Sequence, residues 1–362
     1  MRTVGVEEEL LLVDPETGEP QALSAAVLAR VSQDDTDKEV FEKELHNQML
    51  EFATHPQSGM EELRAEIVRC RKEAARHAGE IGSAVAALAT SPLPVSPSVA
   101  AGRRYEWMAR QYGIATREQL VMGCHVHVSV ESDDEGVAVI DRIQPWLSVL
   151  SALSANSPFW QGKDTLYSSY RSRVWQRWPS AGATEPFRSA ERYHRRVADM
   201  VATGVILDEG MIYFDARLSR NYPTVEIRVS DVCLRADIAV LIATLARGLV
   251  ETAAREWRQG VEPAGHSVSL LRLASWRAAR SGLTEELLHP ATMRRMPAET
   301  VVRALLEHVE DALVDSGDLD RARETCAELL RGGSGDQVQR ELMERTGSLR
   351  EVVTECVRHT QG

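Results

Sequence analysis

The chain has 362 residues, 43% of them apolar, enough to fill one large core or two ordinary ones. Its 42 basic and 54 acidic residues leave a formal charge of −12, which argues against nucleic acid and anionic lipid as partners. The five scattered cysteines include no CxxC pair and read as reduced thiols, and the acidic opening MRTVGVEEEL is unlike an export leader, so a cytoplasmic protein is expected.

In chain order, the first element is a strand in which Val4, Val6, Leu10 and Leu12 form an apolar row opposite Gly5, Glu7 and Glu9, because side chains alternate along a strand. Glu8 interrupts the apolar row. DPETG at 14–18 is a turn. A second strand near 48–54 sets Leu50 and Phe52 against Glu51, and 59–89 carries apolar residues at helical spacing with Glu61 and Glu62 at its positive end. The loop TSPLPVSPS at 90–98 leads to a third strand, 121–130, with Met122, Cys124, Val126, Val128 and Val130 on one face and Gly123, His125, His127 and Ser129 on the other. Helices are predicted at 138–155 and 188–204, flanking a long irregular segment, 156–186, rich in aromatics and arginine.

Two more strands follow. Residues 211–219 place Ile212, Phe214, Ala216 and Leu218 opposite Tyr213, Asp215, Arg217 and Ser219. Residues 223–230 set Val225, Ile227 and Val229 against Thr224, Glu226, Arg228 and Ser230. Helices are then expected at 236–258 and 267–281 and several times within 297–358, making the C-terminal third wholly helical. The apolar run Ile238–Ala246 is less than half the roughly 20 residues that span a bilayer, so it predicts a buried helix and no membrane role. Gly332–Gly335 is either a hinge or a helix connection. The pattern as a whole predicts a curved sheet with helices behind and a charged face in front.

Lysine is almost absent from the polar rows, whereas Glu, His, Asp and Arg dominate, the side chains that bind divalent cations and phosphate. Glu7 and Glu9 repel one another on one strand face, and a shared cation relieves that repulsion. A bare Glu-x-Glu pair is also what a solvated polar row looks like, but Glu51 and Glu226 add carboxylates mid-strand, and such oxygen-rich sets suit Mg²⁺ rather than zinc. His125 is the candidate ligand of the histidine pair, and His127 can equally hydrogen-bond within the sheet. HVHVSVE also fits the His-x-His-x3-Glu core of a cupin oxygenase, although the flanking glycines are missing and a jelly roll needs about eight strands. Arg171, Arg173 and Arg177 offer bidentate contacts to carboxylate or phosphate, or else a surface ion-pair cluster. No Walker loop, dinucleotide fingerprint or GxSxG elbow is present, so any nucleotide must sit on metal.

The motifs VGVEEEL, MLEFAT, MGCHVHVSV, SANSPFWQGKDT with SYRSRVWQRWPSAG, and YPTVEIRVSD, spread from residue 4 to about 235, resemble the glutamate–cysteine ligase type 2, or carboxylate–amine ligase, family. The resemblance implies an α+β, glutamine-synthetase-like fold: one catalytic domain over 1–362, its curved antiparallel sheet backed by helices on the apolar face, with a mostly helical part from about 236. It implies an ATP- and Mg²⁺-dependent ligase that makes an acyl phosphate and then an amide, with glutamate or a similar carboxylate and cysteine or another amine as substrates. Glu7, Glu9, Glu51, His125 and Glu226, with Glu44 added, correspond to metal and ATP-phosphate ligands. Arg228 would meet the transferred phosphate, and Arg171 belongs to the substrate-binding loop, whose aromatics would form a lid. A kinase or a metabolite-binding module on the same fold are the competing readings, and an exposed sheet edge would suit a homodimer.

Overall fold

The computed structural model describes residues 1–32 and 40–361. Its strands, in chain order, are β1 (Val4–Val13), β2 (Phe41–Lys43), β3 (Met49–Ala53), β4 (Ala84–Ala86), β5 (Gly123–Ser129), β6 (Phe159–Trp160), β7 (Lys163–Asp164), β8 (Ala216–Leu218) and β9 (Thr224–Asp231). β6 and β7 form a small hairpin of their own, and the rest make a seven-stranded sheet in the order β2-β3-β1-β5-β9-β8, with β4 paired to the far end of β1. All its pairings are antiparallel.

Alternation divides this sheet into two faces of different chemistry. Val4, Val6, Leu10, Leu50, Phe52, Cys124, Val126, Val128, Val225 and Ile227 are buried on one face. Helices Met60–Gly79 and Ala236–Arg258 pack behind β1 and β5, and Asp133–Leu153 packs on β9. The run Ile238–Ala246 lies inside the second of these and is buried throughout. No helix among the described residues is long and apolar enough to cross a membrane. All five cysteines are free and buried, Cys124 among them.

Glu8 belongs to the helix side of the sheet. Its carboxylate takes two hydrogen bonds from Arg71 of helix Met60–Gly79, both 2.8 Å, and Arg71 also donates to the carbonyls of Cys233 (2.6 Å) and Leu234 (3.0 Å). One fully matched ion pair thus ties β1, its backing helix and the segment that follows β9 together.

The α+β expectation holds, with local corrections. The helix expected over 59–89 stops at Gly79, because Gly82 turns the chain at φ 74° and the alanine-rich continuation becomes β4. The strand expected over 211–219 shrinks to β8, because Asp208 caps a short turn of 3₁₀ helix at Glu209–Met211. The C-terminal part is not wholly helical: Glu286–Leu288 pairs with Arg295–Pro297. Gly332–Gly335 is a connection between helices Leu319–Gly332 and Gly335–Thr346, closed by a capping box on Ser334. A Cβ on Gly335 would lie 2.2 Å from Asn156 Oδ1, so only glycine lets the second helix approach this closely. There Gln339 donates to Asn156 Oδ1 at 2.7 Å, anchoring the C-terminal helices to the segment that leads into the aromatic loop.

The clean alternation expected along β9 is also broken. Cys124 pairs with Ser230 and Val126 with Ile227, so β9 carries one extra residue between them, a bulge that reverses the faces beyond it. Ser230 therefore joins Cys124 on the helix side, while Asp231 pairs with Gly123 and comes beneath the polar face.

Candidate functional site

The polar face is concave and lines a cavity of about 260 Å³ bordered by Glu7, Glu9, Glu42, Glu44, Glu51, His125, Arg217 and Arg228, with Arg104, Tyr105, Trp175, Trp178 and Tyr213 closing it. Register explains the crowding of carboxylates. Glu9 faces Glu51, Glu51 faces Glu42, Glu7 faces His125, and His127 faces Glu226 across adjacent strands. Three overlapping groups place their ligand atoms within 4.8 Å of one another: Glu7, His127 and Glu226; Glu7, Glu51 and His125; Glu9, Glu44 and Glu51. Three larger clefts, about 340, 530 and 620 Å³, lie elsewhere, but they carry arginines already matched in ion pairs such as Arg64 with Asp237, Arg255 with Glu251 and Arg358 with Glu355.

Each carboxylate of the face meets a different field. Burial pushes Glu7 upward, but hydrogen bonding with His125 and His127 outweighs it and holds the carboxyl well below its usual range. Glu7 Oε2 lies 3.1 Å from His125 Nδ1 and Oε1 lies 3.1 Å from His127 Nε2. Glu9 is pushed up to about 7 by burial and by Glu44, although it accepts a hydrogen bond from the Gly123 amide at 2.5 Å. Glu51 is raised well above its ordinary value by burial and by the charges of Glu44, Glu7 and Glu9. Such mutual repulsion is what a multivalent cation removes.

His125 is suited to that task. Burial, followed by the charge of Arg228, lowers its pKa to about 3, so the ring is neutral. With Nδ1 engaged by Glu7, Nε2 is left buried with no hydrogen-bond partner among the described residues. The second histidine is shared differently: His127 Nδ1 lies 3.0 Å from Thr224 Oγ1. The cupin triad is not assembled, since Glu131 lies beyond β5, is 79% exposed and pairs with Arg258 at 3.5 Å.

Glu226 is held by two arginines. Arg217 grips it through Nε at 2.7 Å and Nη2 at 3.1 Å, and Arg228 contacts Oε1. Burial, then the neighbouring charge of Arg217, lowers Arg228 to about 10. The Arg228 guanidinium also lies 5.5 Å from the Trp175 ring and 5.9 Å from Tyr213. Arg171 is fully buried nearby, 4.0 Å from Asp231 and 5.5 Å from the centre of the Trp175 ring. Asp231 is fixed in turn by the Asn156 amide (2.9 Å), Ser157 Oγ (2.7 Å) and Ser169 Oγ (2.8 Å). A Cβ on Gly123 would fall 2.2 Å from Arg171 Nη2, so glycine at this point of β5 makes room for the guanidinium.

The other arginines of the aromatic loop are not part of this arrangement. Arg173 reaches Ser275 at 3.4 Å and Arg177 forms a surface pair with Glu118 at 2.8 Å, and neither lines the carboxylate cavity. Conversely, Arg217, Glu42, Tyr213, Arg104 and Tyr105 border the cavity without having been singled out from sequence. Arg217 was within reach, since it alternates with Tyr213 and Asp215 on a polar row. Arg104 and Tyr105, on helix Arg103–Tyr112, arrive by tertiary packing and leave no local signal.

The fold is shared with solved proteins of related name. A Francisella tularensis glutamate–cysteine ligase, solved in complex with AMP, superimposes with a TM-score of 0.70 at 14% identity, over 99% of this chain and 88% of that one. The bifunctional glutathione synthetase of Pasteurella multocida does so with a TM-score of 0.71 at 15% identity, over 99% of this chain and 51% of that one. Residues 3–355 match glutamate-cysteine ligase family 2 (GCS2), and the chain belongs to that family. A Streptomyces avermitilis protein provisionally named glutamate–cysteine ligase 2-1 is 78% identical over the whole of both chains. A Streptomyces coelicolor protein provisionally named glutamate–cysteine ligase 2 is 76% identical over 100% of this chain and 99% of its own. The chain is thus an enzyme of the carboxylate–amine ligase class.

Proposed function

We propose that the chain uses ATP to activate a carboxylate, glutamate in the first instance, as an acyl phosphate and couples it to an amine such as cysteine. The observation that carries this reading is the set of three overlapping carboxylate and imidazole groups beside Arg228. Glu7, Glu9, Glu44, Glu51, His125 and Glu226 have the chemistry to hold Mg²⁺: oxygen-rich, mutually repelling, with a buried imidazole nitrogen lacking any partner. Mg²⁺ bound there would offset the negative charge of the ATP phosphates.

The chain's own groups do the rest. Arg228, with its Nε buried and unpartnered among the described residues, stabilises charge on the phosphoryl group as the substrate carboxylate attacks the γ-phosphorus and ADP leaves. Arg217 and Glu226 fix the Arg228 guanidinium, and Arg171 adds positive potential from beneath. Trp175, Trp178 and Tyr213 cover the cavity and limit water, which would otherwise hydrolyse the intermediate before the amine displaces phosphate.

The test is incubation of the purified protein with Mg²⁺, ATP, glutamate and a panel of amines including cysteine, with nucleotide and condensed product identified by mass. ADP and a γ-glutamyl amide formed together are expected, and the best amine identifies the acceptor. AMP with the amide would replace the acyl phosphate by an adenylate. ADP without amide for any amine would make the chain a kinase.

A further inference from the structure

Asp231 ends β9, is wholly buried and does not border the carboxylate-lined cavity, yet four groups of the aromatic segment converge on it. Oδ2 accepts from the Asn156 amide at 2.9 Å and from Ser157 Oγ at 2.7 Å, and Oδ1 accepts from Ser169 Oγ at 2.8 Å. Asn156 and Ser157 begin the arm that runs out to the β6–β7 hairpin, and Ser169 lies on the arm that returns. One carboxylate therefore staples both arms to the sheet. The fourth group is the Arg171 guanidinium, whose Nη1 stands 4.0 Å from Oδ1.

Arg171 has little else to hold it. Its side chain is 1% exposed, Nη2 reaches the Arg228 carbonyl only at 3.5 Å, and Nε has no partner among the described residues. A buried guanidinium with so few hydrogen bonds is costly unless a carboxylate balances its charge, and among the described residues Asp231 is the one within 4.0 Å. The same carboxylate reaches the Arg171 backbone, because Ser157 Oγ donates to Asp231 and accepts from the Arg171 amide at 3.0 Å. Arg171 begins the helix Arg171–Trp175, whose last residue borders the cavity. The bulge in β9 makes this possible, since a regular strand would send Asp231 to the helix side of the sheet.

Resting on the ligase reading above, we propose that Asp231 is a positioning residue for activation of the carboxylate, holding Arg171 in place and, through the helix that Arg171 begins, Trp175 at the cavity. It acts through Arg171 and touches no reacting group. Loosening it therefore lowers kcat/KM for the carboxylate and leaves the nucleotide's KM where it is.

A double-mutant cycle tests this, with amide formation from ATP, glutamate and the preferred amine as one readout and amide hydrogen exchange over residues 157–175 as the other. Asp231→Asn keeps an acceptor for the Asn156 amide and Ser157 but removes the charge that balances Arg171. Its kcat/KM for glutamate should fall about tenfold or more, with the KM for ATP within about twofold of the parent. Arg171→Gln should fall at least as far, and adding Asp231→Asn to it should cost less than about twofold more, because a residue that acts through another then has nothing to act on. Exchange over 157–175 should rise about tenfold in Asp231→Asn and stay at the parent level in the rest of the sheet. If Asp231→Asn does not fold, Ser157→Ala takes its place in the cycle, breaking the link from the carboxylate to the Arg171 amide, and the same non-additivity is expected. Losses that multiply in the double variant overturn the assignment, since the two residues would then act independently, and so does a parent-like kcat/KM in the single variant. A parent protein that makes neither ADP nor amide refutes the ligase reading instead, and exchange alone then judges Asp231: a rise confined to 157–175 supports its positioning role, and no rise, or one spread over the sheet, overturns it.

Discussion

Glu9→Gln should make the metal-free protein more stable and the enzyme less active. Glu9 stands at about 7 rather than 4.5 because burial and Glu44 oppose its charge more than Gly123, Arg171 and Arg228 support it. A carboxyl whose folded pKa is raised contributes fully below its unfolded value, and that contribution is lost as pH rises through the folded one. The window here is therefore about 4.5 to about 7. Above it, holding Glu9 ionised costs about 3 kcal/mol. Glutamine keeps an oxygen for the Gly123 amide and removes the charge, so most of that cost disappears. At roughly 2 cal/mol/K per residue of unfolding entropy, the gain is about 4 °C in melting temperature. Calorimetry with a chelator should show this rise near pH 8 and little difference near pH 4.5. Added Mg²⁺ should stabilise the parent more than the variant, because ligand binding to the folded state is linked to stability. A variant that melts at or below the parent near pH 8 without metal would refute the electrostatic account of this face.

Other outcomes follow from the same geometry. Glu226→Ala should abolish ATP turnover while circular dichroism stays native, because it removes a candidate ligand and frees Arg217 and Arg228 without touching the apolar layer; normal turnover would sink the site assignment. Gly123→Ala drives a methyl into Arg171, so activity should fall by about tenfold or more, read as kcat/KM for the carboxylate. Arg177→Ala, which breaks a surface pair with Glu118, should change neither kinetics nor stability beyond about 0.5 kcal/mol by urea unfolding. Arg71→Ala leaves Glu8 buried without its partner and should cost about 3–5 kcal/mol by the same measurement.

Strand alternation made much of the candidate site readable in advance, because a charged row opposite an apolar one survives in the sequence wherever the strand is regular. Glu7, Glu9, Glu51, His125 and Glu226 could be grouped that way, and the structure gathers them in overlapping groups on one sheet face, all but Glu226 lining the cavity. The method failed where regularity failed. The bulge in β9 moved Ser230 to the helix side, and no local pattern announces one extra residue in a strand of alternating Val and Arg. The short alanine-rich β4 resembled a continued helix because alanine favours either state once buried, and only the pairing with β1 decides. Arginine clusters were the least readable: Arg171 and Arg177 look alike in sequence, yet one is buried against Asp231 and the other lies on the surface.

The run Glu7-Glu8-Glu9 shows how far position decides chemistry. All three are glutamates on consecutive residues of β1, and the pleat sends the middle one to the opposite side. There Glu8 meets Arg71 in a two-point ion pair and works as a tie between sheet and helix. Glu7 finds two imidazoles and keeps its charge, whereas Glu9 finds another carboxylate and resists ionisation. A slip of one residue would bury Glu7 and Glu9 against the helices, where a single Arg71 could match neither pair, and would turn Glu8 alone toward the cavity. Register in β1 is therefore enforced by the same ion pair that leaves the two outer glutamates free for ligands. Replacing both Glu8 and Arg71 by leucine or methionine of similar size is expected to preserve stability to within about 2 kcal/mol, since a buried pair offers little net gain over apolar packing. If register depends on the pair, that double variant should nevertheless lose Mg²⁺-dependent stabilisation in the same melting assay, and full retention of that stabilisation would show that the apolar row alone is sufficient.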